Sequence, residues 1–436
     1  MSISPLCKYL RNFFLVILSF CNCFCEGTSP EITISNTYDP VALYLTWQRS
    51  PESTMTINWI TTPERKSDDV QFREIDTEKW QEAAGSHNSL PEDTPYFLHR
   101  VELLGLQPAT IYEFRTGNDA VAYKFQTMPA NLNKPIRFVA GGDVYHDSIE
   151  FVHATNIQAA KTGPDFALIG GDIAYASTKF SDWLPRWVQG FVDHLVGQKF
   201  DRWLTWLIAW KDDMVRPDGC LIPILPAIGN HDVVGRYGQT PEKAPFFYSL
   251  FPMPGKHGYN VLDFSDYMSI FLLDSGHTNA VGGKQAQWLA SAMQQREAVP
   301  HKFALYHVPA YPSVHGLKIE VGAQIRKFWV PSFDAYHLTA AFENHEHAYK
   351  RTHPLRGNAI DEKGVMYIGD GSWGVEHPRT PRHLDEKWYL AKAASVRQFL
   401  LIDVEKDKQT VYGISSDGMV IDSFSWPTHP VAKSSN

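Results

Sequence analysis

Five apolar stretches of this chain each lead to an Asp, Asn or His side chain, and this repeated pattern restricts the fold more than any other feature. The stretches are residues 136–140, 166–169, 224–228, 302–306 and 338–342, and they lead to Asp143, Asp172, Asn230-His231, His307 and His345-Glu346-His347. Buried strands separated by helical stretches are typical of an α/β domain, whose ligands bind at the carboxyl ends of the strands. Carboxylates and imidazoles gathered away from water need a compensating charge, which metal ions supply. The pattern therefore predicts an α/β domain with a metal site at one sheet edge.

The side-chain types at these strand ends indicate which metals the site would hold. They offer oxygen and imidazole nitrogen but no thiolate, which suits iron, zinc or manganese and disfavours a structural zinc site. Two ions held about 3.5–4 Å apart need a bridging carboxylate and open positions for a substrate. Tyr175 lies one helical turn beyond Asp172, where a phenolate would favour a trivalent ion such as iron(III).

The region before the α/β domain has a different pattern. Short runs between residues 40 and 128 alternate apolar and polar side chains, as in Tyr112-Glu113-Phe114-Arg115, and predict an all-β sandwich. Residues 129–135 are predicted to be a linker, and the α/β domain is expected to extend over residues 136–425. Because nothing in the sandwich segment gathers catalytic groups, we interpret it as a support or binding module.

The first 26 residues are predicted to be a secretory signal peptide, with an uncleaved anchor as the alternative. Lys8 and Arg11 precede an apolar run of about a dozen residues, whereas a membrane span needs about 20. Four of the five cysteines lie in or before this run, at Cys7, Cys21, Cys23 and Cys25. Cleavage would leave Cys220 alone, so we expect no intramolecular disulfide. The protein is expected to be secreted, periplasmic or extracellular, with no stable membrane span after cleavage.

The composition excludes other classes of protein. The 436 residues include 40 Lys and Arg against 48 Asp and Glu, which gives a formal charge of −8. Without a basic excess, nothing indicates a nucleic acid as a stable partner. A hydrophobic content of 44% provides enough apolar material for large cores and excludes a disordered chain.

The order and spacing of the polar strand ends resemble those of one known family. The set Asp143, Gly171-Asp172-x-x-Tyr175, Gly229-Asn230-His231-Asp232, His307 and His345-x-His347 is similar to that of the purple acid phosphatases, within the metallophosphoesterase superfamily. Residues 106–115 resemble a late strand of fibronectin type III domains, which precede the catalytic domain in the larger members. The resemblance covers roughly residues 40–425. It implies a fibronectin type III-like sandwich followed by a four-layer α/β/β/α, calcineurin-like metallophosphoesterase domain.

The resemblance implies a dinuclear metal centre with seven ligands. The iron(III) ligands would be Asp143, Tyr175 and His347, with Asp172 bridging both ions. The ligands of the second ion, which would be zinc, manganese or iron(II), would be Asn230, His307 and His345.

Two further histidines are implied to act on the substrate. His231 would contact the phosphate and donate a proton to the leaving group, and His315 corresponds loosely to a second substrate histidine. The implied activity is that of an exported acid phosphatase, which hydrolyses small phosphate monoesters by attack of a metal-bound hydroxide. One alternative is a phosphodiesterase that uses the same site. The other is a surface-binding or adhesion protein with an inert phosphatase domain.

Two positions depart from the family pattern, and neither removes an expected ligand. Asp143-Val144-Tyr145 stands where Asp-x-Gly or Asp-x-His is usual, so Tyr145 and the following His146 either shape the pocket or pack. Asn344 replaces the usual glycine before His-x-His. Asn tolerates a positive φ better than most residues, so we expect the same tight turn there.

Residues 178–219 are expected to form a helical insert rich in aromatic side chains. Trp183, Trp187 and Phe191 recur at helical spacing, and Trp203, Leu207 and Trp210 form a second such stripe. These stripes either pack onto the domain or form a lid beside the metals or the face of a homodimer.

Overall fold

The computed structural model describes residues 40–64, 67–117, 119, 121–177, 197–255 and 257–428. The predicted signal peptide lies outside the described residues, and so do Trp183, Trp187 and Phe191 of the insert. Within the described ranges, no helix combines the length and the apolar character that crossing a bilayer requires.

The N-terminal part is an antiparallel β-sandwich, which confirms the prediction from the alternating pattern. Its strands are β1 (Ala42–Thr46), β2 (Thr54–Thr61), β3 (Val70–Glu74), β4 (Gln81–Ala83), β5 (Ser86–Ser89), β6 (Phe97–Leu104), β7 (Ile111–Thr116) and β8 (Tyr123–Gln126). One sheet has the strand order β1-β2-β6-β5 and the other β4-β3-β7-β8. In β7, Tyr112, Phe114 and Thr116 are buried and the residues between them are half-buried, because alternate side chains face the core.

The C-terminal part is an α/β domain with two large sheets. Its strands are β9 (Ile136–Gly141), β10 (Phe166–Gly170), β11 (Ile224–Ala227), β12 (Asn260–Phe264), β13 (Met268–Leu272), β14 (His301–Leu305), β15 (Ala340–Glu343), β16 (Tyr349–Thr352), β17 (Leu355–Arg356), β18 (Ala359–Ile360), β19 (Met366–Gly369), β20 (Leu390–Ala394), β21 (Gln398–Val404), β22 (Lys408–Ser415) and β23 (Val420–Pro427). Its helices are α1 (Ile149–Lys161), α2 (Phe200–Asp213), α3 (Pro245–Leu250), α4 (Lys284–Gln294), α5 (Glu320–Phe328) and α6 (Val330–Ala335).

The two large sheets pack face to face. One has the order β11-β10-β9-β21-β22-β23 and the other β12-β13-β14-β15-β19-β16-β20. Phe138 of the first sheet contacts Phe303 and Phe342 of the second, with ring centroids 5.5 and 5.8 Å apart. Burial of these inner faces is the main driving force for pairing the sheets, since apolar burial contributes roughly 25 cal/mol per Å².

Helices cover the outer face of each sheet. Val139 and Ala167 of the first sheet share a buried cluster with residues of α1 and α2. Phe271 and Ala304 of the second sheet share another with residues of α4, α5 and α6. The layers therefore follow the order helix, sheet, sheet, helix, and the predicted four-layer α/β/β/α architecture is confirmed.

The described half of the aromatic insert packs onto the α/β domain. Trp203, Trp206 and Trp210 of α2 are buried. Trp206 contacts Phe251, and Trp210 stacks against Trp373, with ring centroids 6.3 and 6.5 Å apart. The stripe on α2 therefore packs onto the domain, which is the first of the three interpretations of the sequence.

The sandwich contacts the α/β domain at the end of α3. Arg100 donates from Nη2 to the carbonyl oxygens of Ser249 and Leu250, at 2.9 and 3.0 Å, and the Tyr44 hydroxyl donates to Leu250 O at 2.7 Å. Lys124 of β8 forms a β-bridge with Cys220. Burial raises the pKa of the Cys220 thiol to about 12, so this free cysteine is an inert packing group.

Candidate metal centre

The loops that follow the parallel strands carry the candidate ligands. β9 pairs in parallel with β10, and β10 with β11, while β14 pairs in parallel with β15. The loops that follow β9 and β10 continue this parallel pairing. Asp143 N donates to Gly171 O at 3.0 Å, and Val144 N donates to Asp172 O at 2.9 Å. His307 Nδ1 lies 2.9 Å from Gly170 O and links the edges of the two sheets. The strand ends of both sheets therefore meet at one site.

Five of the seven candidate ligands have a left-handed backbone. The φ angles are 55° at Asp143, 50° at Asp172, 48° at Tyr175, 76° at His345 and 58° at His347. This conformation is disfavoured for residues other than glycine and costs of order 1–3 kcal/mol at each position. Backbone strain of this kind clusters at functional sites, where the surrounding structure maintains it.

Asn344 does not supply the positive φ that we expected of it, because His345 takes that conformation instead. The Asn344 side chain donates from Nδ2 to Tyr306 O at 2.9 Å. It also lies so close to Gly142 and Gly170 that a Cβ atom at either glycine would overlap it. Asn344 is therefore accommodated by its side-chain contacts, and the turn is made by the following residue.

The first group of candidate ligands consists of Asp143, Tyr175 and His347. The Tyr175 hydroxyl donates to Asp143 Oδ1 at 2.9 Å and lies 3.0 Å from His347 Nε2. His347 Nε2 is also 2.9 Å from Asp143 Oδ1. Three donor atoms from three different loops thus lie within contact of one another, at the positions for which the resemblance implied the iron(III) site.

The second group gathers around His307. Its Nε2 atom is 3.2 Å from Asp172 Oδ2, 3.1 Å from Asn230 Oδ1 and 3.2 Å from His345 Nδ1. The backbone N–H of His345 donates to Asp143 Oδ2 at 2.8 Å, which links the second group to the first. The structure therefore brings all seven sequence-predicted ligands together in two adjoining groups.

The charges of the two groups favour a bound cation. Burial, with Asp143 and Asp172 nearby, holds the pKa of the Tyr175 phenol well above its usual range. Burial opposes a charge on His307, yet Asp172 and Asp143 raise the pKa of its imidazole to about 9. Burial alone would also raise the pKa of Asp172, but His307 and His231 lower it well below its usual range. The carboxylates thus attract positive charge, and a multiply charged metal ion would both replace the proton on His307 and make the Tyr175 phenolate accessible.

The residues present fit a dinuclear metal centre. They provide carboxylate, phenol and amide oxygens and imidazole nitrogens, a set that suits iron, zinc and manganese. Asp172, His307 and His345 can each direct a ligand atom to a common point. Glycine is required beside the ligands, because a Cβ atom at Gly229 would overlap Asp172 and one at Gly371 would overlap Asp143.

His231 lies beside the first group. It belongs to a 3-10 turn, Asn230–Asp232, and its ring centroid is 4.5 Å from that of Tyr175. Its Nδ1 atom is 3.3 Å from Ser177 Oγ, and 6% of the residue is exposed. The imidazole is therefore held next to the candidate ligands while keeping limited access to solvent.

His315 lies over the second group and is held by Glu346. His315 Nδ1 is 2.6 Å from Glu346 Oε1, and the backbone N–H groups of Val314 and His315 donate to Glu346 Oε2 at 2.6 and 2.7 Å. The His315 ring stacks on that of His345 with centroids 6.1 Å apart, and 44% of its side chain is exposed. The role of Glu346 does not follow from the sequence motifs, although its position between two candidate ligands in His-x-His is the one available signal.

Asp232 is a second residue whose role the sequence did not reveal. Its carboxylate accepts hydrogen bonds from the backbone N–H groups of Gly229 and Asp172 at 2.9 Å and of Ile173 at 3.0 Å. Burial and the neighbouring Asp172 raise the pKa of Asp232 to about 7. Asp232 thus fastens the loop that carries Asp172 to the loop that carries Asn230.

Tyr145 and His146 line this region in different ways. The Arg202 guanidinium lies 3.9 Å from the centroid of the Tyr145 ring, a cation–π contact that packs α2 against the loop. The His146 ring lies 4.7 Å from the rings of both Tyr175 and His347. His146, which follows the departing motif residue Tyr145, is therefore the one of these two side chains that lies beside the candidate ligands.

A fold of two packed sheets between helices, with metal-ligand side chains at the strand ends, defines a metallophosphoesterase. Residues 136–358 match the family model described as calcineurin-like phosphoesterase, and residues 40–127 match that described as purple acid phosphatase, N-terminal domain. The chain belongs to the purple acid phosphatase family, as the sequence motifs predicted.

Curated relatives agree with this assignment. Purple acid phosphatase 13 of Arabidopsis thaliana is 24% identical over 356 residues, which cover 73% of this chain and 64% of the relative. Acid phosphatase type 7 of Mus musculus is 23% identical over 413 residues, covering 85% and 84% of the two chains. The chain thus spans slightly less than two thirds of the plant relative's length.

Solved structures support the fold. The purple acid phosphatase PPD1 from yellow lupin (Lupinus luteus) seeds superposes with a TM-score of 0.67 at 15% identity, covering 88% of this chain and 74% of the other. A structure of PhoD superposes with a TM-score of 0.64 at 12% identity, covering 90% and 91%.

Proposed function

We propose that this protein is an exported, metal-dependent acid phosphatase that hydrolyses small phosphate monoesters. The observation that carries the proposal is the meeting of seven oxygen and nitrogen donors in two adjoining groups. Such groups are suited to two metal ions that share one bridging carboxylate. Export rests on the predicted signal peptide at residues 1–26.

Each group would hold one ion of the dinuclear centre. Asp143, Tyr175 and His347 would hold iron(III). Asp172 contacts His307 of the second group and acts electrostatically on Tyr175 of the first, and it would bridge the two ions. The ligands of a divalent zinc, manganese or iron ion would be Asn230, His307 and His345. When bound, the two ions would neutralise phosphate charge and lower the pKa of a water molecule, and so supply a nucleophile near neutral pH.

His231 would act as the general acid. Its imidazole is held beside Tyr175 and keeps limited access to solvent, through which it would meet a leaving-group oxygen and be reprotonated from water. A positioned proton donor of this kind contributes about 10²–10⁴-fold to a rate.

His315 would orient the phosphate. Glu346 accepts from the backbone N–H groups of Val314 and His315 and from the His315 imidazole, so the loop has a defined position over His345. A histidine held in this way can direct an N–H group to a phosphate oxygen without a large loss of side-chain entropy.

The metal content and the visible absorption spectrum of the purified mature protein test this proposal. We expect about two metal ions per chain, one of them iron, and a broad purple absorption band from the Tyr175 phenolate. Tyr175→Phe should abolish the band. Tyr145→Phe is the matched control, because Tyr145 lies in the same region without contacting the candidate ligands, and it should leave the band unchanged.

Activity assays then separate the substrate classes. We expect faster hydrolysis of p-nitrophenyl phosphate than of bis-p-nitrophenyl phosphate, with an acidic optimum. Faster diester hydrolysis would favour a phosphodiesterase, and an alkaline optimum would contradict the acid phosphatase assignment. If no metal binds even after reconstitution, the enzyme proposal fails and a binding protein becomes the better interpretation.

A further inference from the structure

A second cluster of aspartate and histidine lies in the β-sandwich, among residues that the phosphatase proposal does not use. His99 Nδ1 is 2.6 Å from Asp68 Oδ1, and His87 Nδ1 is 2.9 Å from both carboxylate oxygens of Asp68. One ligand atom from each of these three residues lies close enough to the others to share a metal ion. The Asp68–His87–His99 cluster therefore has the composition and the convergence of a metal site.

The three residues come from both sheets of the sandwich. His87 in β5 and His99 in β6 are register partners, so their side chains lie on the same face of the first sheet. Asp68 lies two residues before β3 of the second sheet. Gly85 N donates to Asp68 O at 3.1 Å, and a Cβ atom at Gly85 would overlap Arg100 and Val101, so the absence of a side chain there permits this close approach.

The surroundings of His99 fix its orientation toward Asp68. Its Nε2 atom is 2.7 Å from Thr61 Oγ1, and its ring stacks on Trp59 with centroids 5.0 Å apart. A histidine ligand usually engages its second ring nitrogen in a hydrogen bond, which Thr61 offers here.

We propose that Asp68, His87 and His99 bind a divalent zinc ion that joins the two sheets of the sandwich. Two imidazoles and one carboxylate form a set that zinc accepts together with one water molecule. The side chains of His87 and Asp68 are 31% and 24% exposed, so the fourth position faces solvent. Tetrahedral ligands of zinc lie about 3.3 Å apart, so the separations of 2.6 and 2.9 Å between Asp68 and the two histidines would each have to lengthen by less than about 1 Å.

The bound zinc would have the role of a disulfide. Cys220 is the only cysteine among the described residues, and it is a free thiol. β5 is a short strand at the edge of its sheet, with largely exposed residues. A metal ion between β5, β6 and the segment before β3 would fasten this edge, since metal binding adds directly to the free energy of unfolding.

Zinc stoichiometry of the full-length protein tests the inference. Chelator-treated protein is dialysed against zinc-containing and then zinc-free buffer, and bound zinc is counted by mass spectrometry of the metal. Asp68→Asn and His87→Ala are each expected to hold about one zinc ion fewer per chain than the unmodified protein. Asp69→Asn is the matched control, because it removes the same charge from the neighbouring exposed residue, and it should keep the full zinc count.

The zinc counts test the sandwich site independently of the phosphatase proposal. Phosphatase activity should be the same in all three variants, and if the protein proves to have none, the difference in zinc count still tests the site. Equal zinc counts in all proteins would overturn the inference and leave a hydrogen-bonded cluster only. If Asp68→Asn fails to fold, His87→Ala still tests the site, because His87 is half-exposed on an edge strand.

Anomalous diffraction at the zinc edge gives a direct check. Absence of a peak between the three side chains in zinc-soaked crystals would also overturn the inference.

Discussion

The two clusters of aspartate and histidine in this protein are built in opposite ways. At the metallophosphoesterase site, five candidate ligands lie in loops with a left-handed backbone, and six of the seven candidate ligand residues are buried. In the sandwich, His87 and His99 lie within regular strands, and the backbone of none of the three cluster residues is left-handed. Asp68 and His87 also remain partly exposed.

This difference in backbone conformation and burial reflects what a catalytic metal centre and a structural metal site each require. A reactive centre must hold several ligands around open positions for substrate, which places side chains on strained loops that the rest of the fold supports. A structural clip needs only to join segments that already lie close together, so ordinary strand geometry is sufficient. The following predictions test this contrast.

The largest effect is expected from Asp172→Asn. Because Asp172 is the proposed bridging ligand, this variant should lose about 10³-fold or more in kcat/KM, together with bound metal. The same substitution at Asp68 of the sandwich should leave kcat/KM unchanged. If the Asp172 variant stays within tenfold of the unmodified protein, the catalytic assignment of the first cluster is wrong.

His231→Asn should lower kcat by about 10²-fold on phenyl phosphate, because the proton donor is removed. The loss should be much smaller on p-nitrophenyl phosphate, whose leaving group needs no proton. Metal content should stay the same, which distinguishes a general acid from a ligand. His153→Asn serves as the control, since His153 pairs with Asp213 away from the candidate ligands, and it should behave as the unmodified protein does.

Asp232→Asn is expected to weaken metal binding by about 10–100-fold, the usual range for a group that orients ligands. An amide has only one acceptor oxygen, so it cannot accept from all three backbone N–H groups that Asp232 now binds. Competition with a chelator measures the change in affinity. Unchanged metal affinity would show that the loop of Asp172 keeps its conformation without the hydrogen bonds to Asp232.

Glu346→Gln should raise KM for a phosphate monoester by about 5–10-fold, equivalent to the net contribution of one ordinary hydrogen bond, with a smaller change in kcat. The cause is the weaker hold on His315, so His315→Asn should raise KM to a similar extent. The double variant should then resemble either single variant. Additive effects of the two substitutions would contradict a shared role.

The smallest effect concerns His301, a buried histidine that lacks the carboxylate partner found in both clusters. Its Nδ1 accepts from Gln409 Nε2 at 2.7 Å, and burial lowers its pKa to about 4. Between pH 6.5 and 4 the unfolded chain binds a proton that the folded protein excludes, so stability falls as the pH falls through this range. His301 should therefore lower the free energy of unfolding by about 2 kcal/mol between pH 8 and pH 5. In His301→Gln, the free energy of unfolding measured with urea should depend less steeply on pH; an unchanged slope would contradict this origin.

The fold and the candidate ligands could be predicted because their signals are local in sequence. Each ligand follows an apolar strand of four to six residues, and parallel strands bring their carboxyl ends to one edge. The donor chemistry of Asp172, His307 and His345 was therefore readable without knowing any distance. Asp232 and Glu346 adjoin these ligands in sequence, but their roles depend on which backbone N–H groups lie nearby.

The sandwich cluster could not be predicted, because no local pattern unites Asp68, His87 and His99. Their approach depends on the register of β5 against β6 and on the packing of the opposite sheet. A shift of one residue in that register would move His87 to the other face of its sheet.

By itself the sequence determined the order of domains, the family and the types of atom that the metal centre offers, because apolar periodicity and strand-end residues act over short stretches. Only the tertiary structure decided which residues carry the backbone strain, how His315 is held and where a second metal site lies. These features depend on distances between segments far apart in the chain, and those distances follow from the packing of whole sheets.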